Sequence, residues 1–276
     1  MNMDINEQST PIYIEYREND SDFALKAHHH NSYELIYVTE GTVEFKIGSS
    51  SYNVGPDHLI FINHLEAHEL KITSLPYKRY FILIHPDYLH SIIKEPELLS
   101  VFKYRPEHFN HVLKLSPEIS TAIRFRFSEI HREAESKQIF WETLLETALK
   151  EMLVCLYRSN GRSFPVLLDE NAKNVYLIQR YIETHCLEEL NLKAVSKKFY
   201  VDMYYLSHTF EKITGYNFKE YIILQRISKA KDLLYYSGEN ITNVCMKSGF
   251  NNVNHFIRIF RKYTGITPLQ YRKGLR

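Results

Sequence analysis

One sequence pattern occurs twice in the last hundred residues of this 276-residue chain, and it constrains the fold more than any other feature. The segment from Asp202 to Gly215 is echoed about 50 positions later by the segment from Asn252 to Gly265. Each copy has a capping residue, an apolar residue four positions on, an aromatic residue four positions beyond that, and a closing Thr-Gly. Such a repeat indicates that one supersecondary unit has been used twice.

The periodicity of each copy predicts two short amphipathic helices joined by a tight turn, which is a helix-turn-helix. Four residues of the kind that caps helix N-termini precede the predicted helices: Asn191, Asp202, Asn240 and Asn252. Gly215 is placed to end its helix in the left-handed conformation. A helical pattern over residues 218–234 joins the two units and spans roughly 25 Å. A spacer of that size suits two reading helices set about one DNA turn apart.

Charge separates the two halves of the chain. Residues 172–276 contain 17 of the 34 Lys and Arg residues and 8 of the 33 Asp and Glu residues, which gives a net charge of +9 against −8 for the remainder. A basic half suits a phosphate backbone, and an acidic half argues that nucleic acid does not bind there. A helical bundle with a solvated basic surface is the alternative, and it explains the charge but not the repeat.

The segment from Val175 to Arg276 resembles the DNA-binding domain of the AraC/XylS family of transcriptional regulators over its whole length. The matching residues are Tyr204, Tyr205, Leu206, Phe210, Gly215, Glu220, Tyr221, Arg226, Ile227, Ala230, Leu233, Leu234, Ile241, Gly249, Phe250, His255, Phe256, Phe260, Arg261, Lys262, Gly265, Thr267, Pro268, Tyr271 and Arg272. Glu211 departs from the family, which usually places a basic residue there. The resemblance implies that the second helix of each unit reads the major groove of double-stranded DNA.

We expect the outward-facing residues of the two reading helices to contact DNA. These residues are Tyr204, Ser207, His208 and Lys212 in the first unit and Val253, Asn254, Ile257, Arg258, Arg261 and Lys262 in the second. The second set is chemically more discriminating, because Arg258 can pair with guanine and Asn254 with adenine.

The N-terminal half predicts short strands followed by helices. Val43, Phe45 and Ile47 alternate with polar residues, which is the pattern of a strand with one solvent-exposed face. Further strands are predicted over residues 34–38, 59–63, 70–72 and 80–84, with turns at Gly41, 48–51 and 55–57. Several short strands at this spacing indicate a small barrel.

The same half resembles a cupin. His28, His30, Glu34 and Gly41 match the first cupin motif, and His68 falls near the histidine of the second motif, which is otherwise degraded here. A cupin joined to a paired helix-turn-helix resembles the sensor half of AraC-type regulators, which implies a ligand pocket without catalysis. We therefore expect these residues to contact a small polar effector such as a sugar: His28, His30, Glu34, Tyr37, Phe45 and His68. Residues 12–16 are expected to fold across the opening.

Two other functions remain open at this stage. The histidine and glutamate set is chemically able to hold a divalent metal, and metal-binding cupins use such a set for oxygenase and isomerase chemistry. A cupin metalloenzyme with a DNA tether is therefore one alternative, and an effector-independent DNA-binding protein is the other. We expect no catalytic residue, no resident metal and no other cofactor.

A stripe of apolar residues lies between the predicted barrel and the DNA-binding half. It consists of Trp141, Leu145, Leu149, Met152 and Leu156, which are spaced like the core positions of paired helices. The stripe predicts either a homodimer seam or packing on the chain's own barrel, and we favour the seam.

The expected organisation is α+β with two domains. It comprises a cupin-like sensor barrel over residues 1–95, a helical segment for dimerisation over 96–160, a linker over 161–171, and an all-α DNA-binding domain over 172–276 in which a helix links two helix-turn-helix units.

The N-terminus lacks a signal-peptide core, no apolar run approaches a membrane span, and the three cysteines are scattered. These features predict a cytoplasmic protein that does not enter a membrane. Together with the resemblance, they predict a homodimeric activator that binds DNA, a small effector and RNA polymerase.

Overall fold

The computed structural model describes residues 11–21, 23–28, 30–165 and 170–274. The chain divides into two compact units. Unit 1 consists of Met1–Lys103 and Phe109–Val166, and unit 2 consists of Tyr104–His108 and Leu167–Arg276. Unit 1 is built on an antiparallel sheet and unit 2 is helical, so the predicted α+β class with two domains is confirmed.

The described part of unit 1 contains one seven-stranded antiparallel sheet. Its strands are β1 (Ile12–Asn19), β2 (Ala24–His28), β3 (Tyr33–Ile47), β4 (Ser50–Val54), β5 (His58–Ile62), β6 (His68–Ile84) and β7 (Val112–Lys114). The main path runs β1-β6-β3-β5-β7, with β2 paired to β6 and β4 paired to β3. The long strands β3 and β6 pair along almost their whole length and enclose an apolar core that includes Val43, Phe45 and Phe81.

Gly41 lies inside β3, so the predicted turn at this position is wrong. The strand continues through a bulge where its register against β6 shifts between Val38 and Val43. Gly41 has a φ of +75°, and a Cβ on it would lie 2.3 Å from the carbonyl oxygen of Pro76. A glycine is needed here for conformation and for space, because an L side chain suits neither. Bulges of this kind bend a strand without ending it. The turn predicted at 48–51 is limited to residues 48–49, because β4 begins at Ser50, and the turn predicted at 55–57 is confirmed.

The N-terminal segment is a strand of the sheet, so the predicted fold of residues 12–16 across a pocket opening is wrong. β1 pairs with β6 without interruption from Ile12 opposite Ile84 to Asn19 opposite Tyr77. The pattern within residues 12–16 is too short to separate an edge strand from a loop, and the pairing partner lies about 70 positions away in sequence.

Four α-helices and one short 3-10 helix (Gly161–Ser163) complete unit 1 among the described residues, and the α-helices are α1 (Pro86–Ile92), α2 (Pro96–Lys103), α3 (Pro117–Ser136) and α4 (Trp141–Asn160). The stripe predicted as a homodimer seam lies on α4, and its Leu145, Leu149, Met152 and Leu156 are buried within this one chain. The prediction that these side chains form a seam is therefore wrong. α3 and α4 pack on each other, so the apolar stripe covers its own unit instead.

Unit 2 contains seven helices in the described part of the chain. They are α5 (Glu170–His185), α6 (Leu192–Lys198), α7 (Met203–Thr214), α8 (Phe218–Tyr236), α9 (Ile241–Lys247), α10 (Val253–Thr264) and α11 (Pro268–Gly274). Helices α6 and α7 form one helix-turn-helix, and α9 and α10 form the other. The linking helix predicted over 218–234 is α8, which at about 1.5 Å per residue is roughly 28 Å long. No helix among the described residues is long and apolar enough to cross a membrane.

The predicted helix boundaries follow from side-chain caps. Asp202 accepts a hydrogen bond from the backbone N–H of Tyr205 at 2.8 Å, and Asn252 accepts one from His255 at the same distance. Asn191 and Asn240 cap α6 and α9 in the same way. Each cap satisfies one of the backbone N–H groups that a helix start leaves without a partner. The left-handed residues that end α7 and α10 are the two glycines of the repeated Thr-Gly.

Lys231 is a buried cation in α8. Burial lowers its pKa to about 7, since removal from water disfavours the charged amine, while the carboxylate of Asp232 opposes the shift. A lysine in an unfolded chain has a pKa of about 10.4. The unfolded state therefore binds more protons than the folded state between these two values, and the free energy of unfolding rises with pH across that window.

Lys231→Met removes the titrating amine and keeps a long, unbranched side chain. We expect the variant to be more stable than the unmodified protein at pH 7, and the difference to shrink by up to about 1.4 kcal/mol per unit as the pH rises towards 10. Urea unfolding followed by circular dichroism at several pH values measures this. A stability difference that does not change with pH would contradict the prediction.

Candidate DNA interface and ligand pocket

Helix α7 presents the first set of predicted DNA contacts. Tyr204 is 82% exposed, His208 and Lys212 are exposed, and Ser207 is half-buried, whereas Leu206 and Phe210 on the opposite face are buried. The N-terminal cap of α7, its buried apolar stripe and its exposed face therefore have the arrangement that the repeat predicts.

Helix α10 presents the second set. Asn254, Arg258, Arg261 and Lys262 are exposed. Val253 and Ile257 are partly buried against the apolar core of this half-unit, so each offers only part of its surface to a ligand. His255, which the sequence reasoning did not select, lies 3.2 Å from Arg258 through its Nδ1 atom and can orient the guanidinium. The sequence could have indicated this contact, because residues three positions apart on a helix are neighbours on its surface.

Tyr200 is an exposed aromatic residue that sequence reasoning missed. It lies in the turn between α6 and α7, it is 97% exposed, and its φ is +53°. Counted from the end of the preceding helix, Gly249 takes the matching position in the second helix-turn-helix, with a φ of +83°. A left-handed conformation costs a non-glycine residue about 1–2 kcal/mol. The sequence repeat does not reveal this correspondence, because its offset of 50 residues aligns Tyr200 with Phe250, and nothing in the sequence shows that the Tyr200 side chain is exposed.

A concave pocket lies in unit 1 beside β3 and β6. Its lining residues are Arg17, Asn19, Phe23, Leu25, His28, Glu34, Ile36, Phe45, His68, Leu70, Arg79 and Phe81. Four residues predicted to bind an effector are therefore brought together here, namely His28, Glu34, Phe45 and His68. His30 is not part of the lining, but it is hydrogen-bonded to Glu34.

Tyr37, the sixth predicted effector residue, faces away from this pocket. Its hydroxyl is 2.8 Å from the Ser120 hydroxyl and 3.1 Å from an Asp57 carboxylate oxygen, and its ring stacks on Phe127 of α3. Successive residues of a strand point to opposite faces, so Tyr37 and the neighbouring Ile36 cannot both face the pocket. The structure therefore assigns Tyr37 to the contact between the sheet and α3.

A cluster of three histidines and one glutamate lies at one end of the pocket, with His30, Glu34 and His68 buried and His28 half-buried. Glu34 Oε2 lies 3.1 Å from His30 Nε2 and 3.1 Å from His68 Nε2. Burial alone raises the pKa of Glu34, but the hydrogen bonds and positive charge of the two histidines outweigh it and hold the pKa below its ordinary value. The ring of His28 packs against that of His68 with centroids 4.2 Å apart.

The hydrogen bonds of this cluster require a positive charge between its atoms. His30 Nδ1 lies 3.0 Å from the carbonyl oxygen of Ser32, and His68 Nδ1 lies 3.2 Å from that of Glu66. A carbonyl oxygen only accepts, so each Nδ1 carries a proton. Each Nε2 atom therefore faces the Glu34 carboxylate in one of two forms. It either carries a second proton and donates it to the carboxylate, or it presents a lone pair. In the second form a cation must lie between the nitrogen lone pair and the carboxylate oxygen.

A divalent metal also fits this donor set. The ligand atoms of His28, His30 and His68 lie within 4.8 Å of one another, and two of the rings are oriented by backbone carbonyls in the manner of metal-binding histidines. Zinc, iron or nickel would suit three imidazoles and a carboxylate.

Comparison with known proteins supports the division into a ligand-binding and a DNA-binding part. Residues 11–153 match the AraC-like ligand binding domain family, and residues 195–274 match a helix-turn-helix domain family. The HTH-type transcriptional activator RhaS of Escherichia coli O1:K1 / APEC is 24% identical over 271 residues, covering 95% of this chain and 92% of the relative. RhaS of Enterobacter sp. (strain 638) is 23% identical, covering 96% and 93%.

Among solved structures, ToxT from Vibrio cholerae O395 has the same fold. It matches with a TM-score of 0.61 at 13% sequence identity, covering 96% of this chain and 98% of ToxT. The family match to residues 11–153 alone spans more than half of the 276 residues. The chain therefore belongs to the AraC family of transcriptional regulators, with an effector-binding domain followed by a helix-turn-helix DNA-binding domain.

Proposed function

We propose that this protein is a transcriptional activator that reads two successive major grooves with α7 and α10, and that it responds to a small effector bound in the pocket of unit 1. The observation that carries the proposal is the pair of capped helix-turn-helix units, each with one buried and one exposed helix face, joined by the unbroken helix α8. The two relatives described above are named transcriptional activators, which supports activation over repression and over enzymatic function.

Base reading is proposed to depend mainly on α10. Arg258 has the planar pair of donors that matches the guanine edge, and Asn254 has the donor and acceptor that match adenine. Lys212, Arg261 and Lys262 are exposed at the C-terminal turns of their helices, where lysine and arginine contact phosphate without reading sequence. Tyr204 and His208 on α7 offer softer contacts, so the first half-site should tolerate more sequences.

Replacement of Arg258 by alanine should relax recognition at one base pair and cost about 1–3 kcal/mol on the preferred site. The preferred site is first obtained by selecting sequences bound by the full-length protein from a random DNA pool. Competition binding against every single-base variant then compares the mutant with the unmodified protein.

Lys262→Ala is the matched control, because a lost phosphate contact should weaken binding to all sequences about equally and reduce the salt dependence. An Arg258→Ala protein that keeps the full sequence preference would remove Arg258 from the reading residues. Binding of the unmodified protein without any sequence preference would favour the effector-independent alternative.

A homodimer remains part of the proposal, but on a different surface from the buried stripe. Ile139, Phe140 and Leu144, at the connection between α3 and α4, are 83%, 73% and 53% exposed. Large apolar side chains clustered at one exposed corner are typical of protein–protein contacts. A second copy of this chain would cover them and place two DNA-binding units on one operator.

The double substitution Ile139→Asp and Phe140→Asp should convert the dimer into a monomer, because charges at the corner oppose its burial. Phe140 has a φ of +66°, a conformation that aspartate tolerates better than phenylalanine, so folding should survive. Light scattering after size-exclusion chromatography gives the mass. The control, Leu269→Asp in α11, should leave the mass unchanged, and a monomeric unmodified protein would refute the dimer.

A metal-responsive sensor is the second candidate function, favoured by the convergence of His28, His30 and His68 described above. Titration calorimetry of the full-length protein with Zn²⁺ and Ni²⁺ should then show one cation per chain, lost in His68→Ala. His58→Ala is the control, because among the described residues that ring bonds to the nearby carbonyls of Gly55 and Pro56 and to no other group. Absence of cation binding in the unmodified protein would leave the cluster as a protonated hydrogen-bond network.

A further inference from the structure

Arg79 is a buried cation that lines the pocket, and within the described residues it forms no ion pair, although the carboxylates of Glu34 and Glu15 act on it at longer range. Only 5% of its surface is exposed, and its one side-chain hydrogen bond within the described residues runs from Nη1 to the amide oxygen of Asn19 at 2.8 Å. Arg17, which lines the same pocket, differs because Glu15 accepts hydrogen bonds from its Nε at 2.8 Å and its Nη2 at 2.6 Å. A buried charge normally has a counter-charge in direct contact, and among the described residues Arg79 lacks one.

The surroundings of Arg79 compensate its charge only in part. Its guanidinium lies 4.8 Å from the ring centre of Tyr77 and 5.9 Å from that of Phe81, and such cation–π contacts recover part of the lost hydration. Burial lowers the pKa of Arg79 from its ordinary value, yet a guanidinium stays protonated in proteins. Four of its five N–H groups have no hydrogen-bond acceptor in the part of the chain that is described.

A second polar group without a partner lies next to Arg79. The hydroxyl of Tyr77 is buried and has no hydrogen-bond partner among the described residues. A buried hydroxyl without a partner costs about 1–3 kcal/mol, and native structures contain few of them. Tyr77 and Arg79 are two residues apart on β6, so their side chains lie on the same face of the strand.

The unused donors of Arg79 favour an anionic ligand. Glu15 pairs with Arg17, and Glu34 is held between His30 and His68 at the other end of the pocket. A neutral sugar would bring no counter-charge to Arg79, and inorganic phosphate would bring no apolar body. The wall between the two polar ends is apolar and contains Phe23, Leu25, Ile36, Phe45, Leu70 and Phe81.

We propose that the effector is a small organic monocarboxylate whose carboxylate pairs with Arg79 and whose apolar body lies against the aromatic and aliphatic wall of the pocket. Guanidinium and carboxylate match as a planar, two-bond pair, which explains why an arginine occupies this position. The proposal rests on the proposed function, since it names the chemical class of the effector that unit 1 binds. It replaces the sequence-based expectation of a sugar.

The test compares matched small molecules on the full-length protein by titration calorimetry. The probes are benzoate, hexanoate, benzyl alcohol, L-rhamnose and inorganic phosphate. Benzoate or hexanoate should bind, and benzyl alcohol, which has the same ring without the charge, should bind at least about tenfold more weakly, a difference of about 1.4 kcal/mol. Preferential binding of L-rhamnose, benzyl alcohol or phosphate would overturn the proposal.

Arg79→Gln should weaken carboxylate binding at least about tenfold. Lys78→Gln removes the neighbouring, partly exposed positive charge and should leave carboxylate binding unchanged. Unchanged affinity in Arg79→Gln would overturn the assignment of Arg79.

Thermal unfolding separates ligand binding from a merely structural role of Arg79. Without a carboxylate, Arg79→Gln should be as stable as the unmodified protein or more stable, because it removes an uncompensated buried charge. With saturating benzoate, only the unmodified protein should gain stability. A variant that is destabilised without ligand would instead show that Arg79 serves the fold. DNA selection is measured independently, so a failure of the carboxylate proposal leaves the regulator proposal standing, and the reverse also holds.

Discussion

The pairing of β3 with β6 is the constraint on which the ligand-binding unit depends. The two strands are paired from Tyr33 opposite Ile84 to Ile47 opposite His68, and this register brings together residues distant in sequence. Glu34 and Phe45 come from β3, and His68 and Arg79 come from β6. A one-residue slip of either strand would turn that strand's side chains to the other face of the sheet and separate them from those of its neighbour. The bulge at Gly41 lets both ends of β3 face the same pocket although the strand bends between them.

The DNA-binding unit could be predicted almost completely because its signals are local. A cap such as Asp202 and a closing Gly215 act within one helix, so neighbouring sequence carries the information. The sheet was predicted less well, because strand pairing joins positions far apart. Gly41 looks the same in sequence whether it makes a turn or a bulge, and only the approach of Pro76 decides. The edge strand β1 was not predicted, because its pairing partner β6 also lies far away in sequence.

The candidate pocket shows the same limit. Its histidine end was predicted from the resemblance to cupins, but Tyr37 was included only because an aromatic residue suits a ligand. Counting alternate residues from Ile36 would have excluded it. Arg79 was missed because it lies just outside the strand predicted over residues 80–84, whereas β6 begins at His68. Alternation along the strand implies that either Arg79 or the residue before it points inward, but only the surrounding sheet shows which one.

The two helix-turn-helix units are not chemically equivalent, so the DNA-binding unit is asymmetric. The first turn holds Tyr200 in a conformation that the second turn assigns to Gly249, and α7 presents phenol, imidazole and hydroxyl groups where α10 presents an amide and a guanidinium. If α7 and α10 contact DNA as proposed, a single DNA-binding unit cannot occupy the same sequence equally well in both orientations. The proposed binding site is then asymmetric, and the order of its two half-sites along the DNA sets the orientation in which this unit binds.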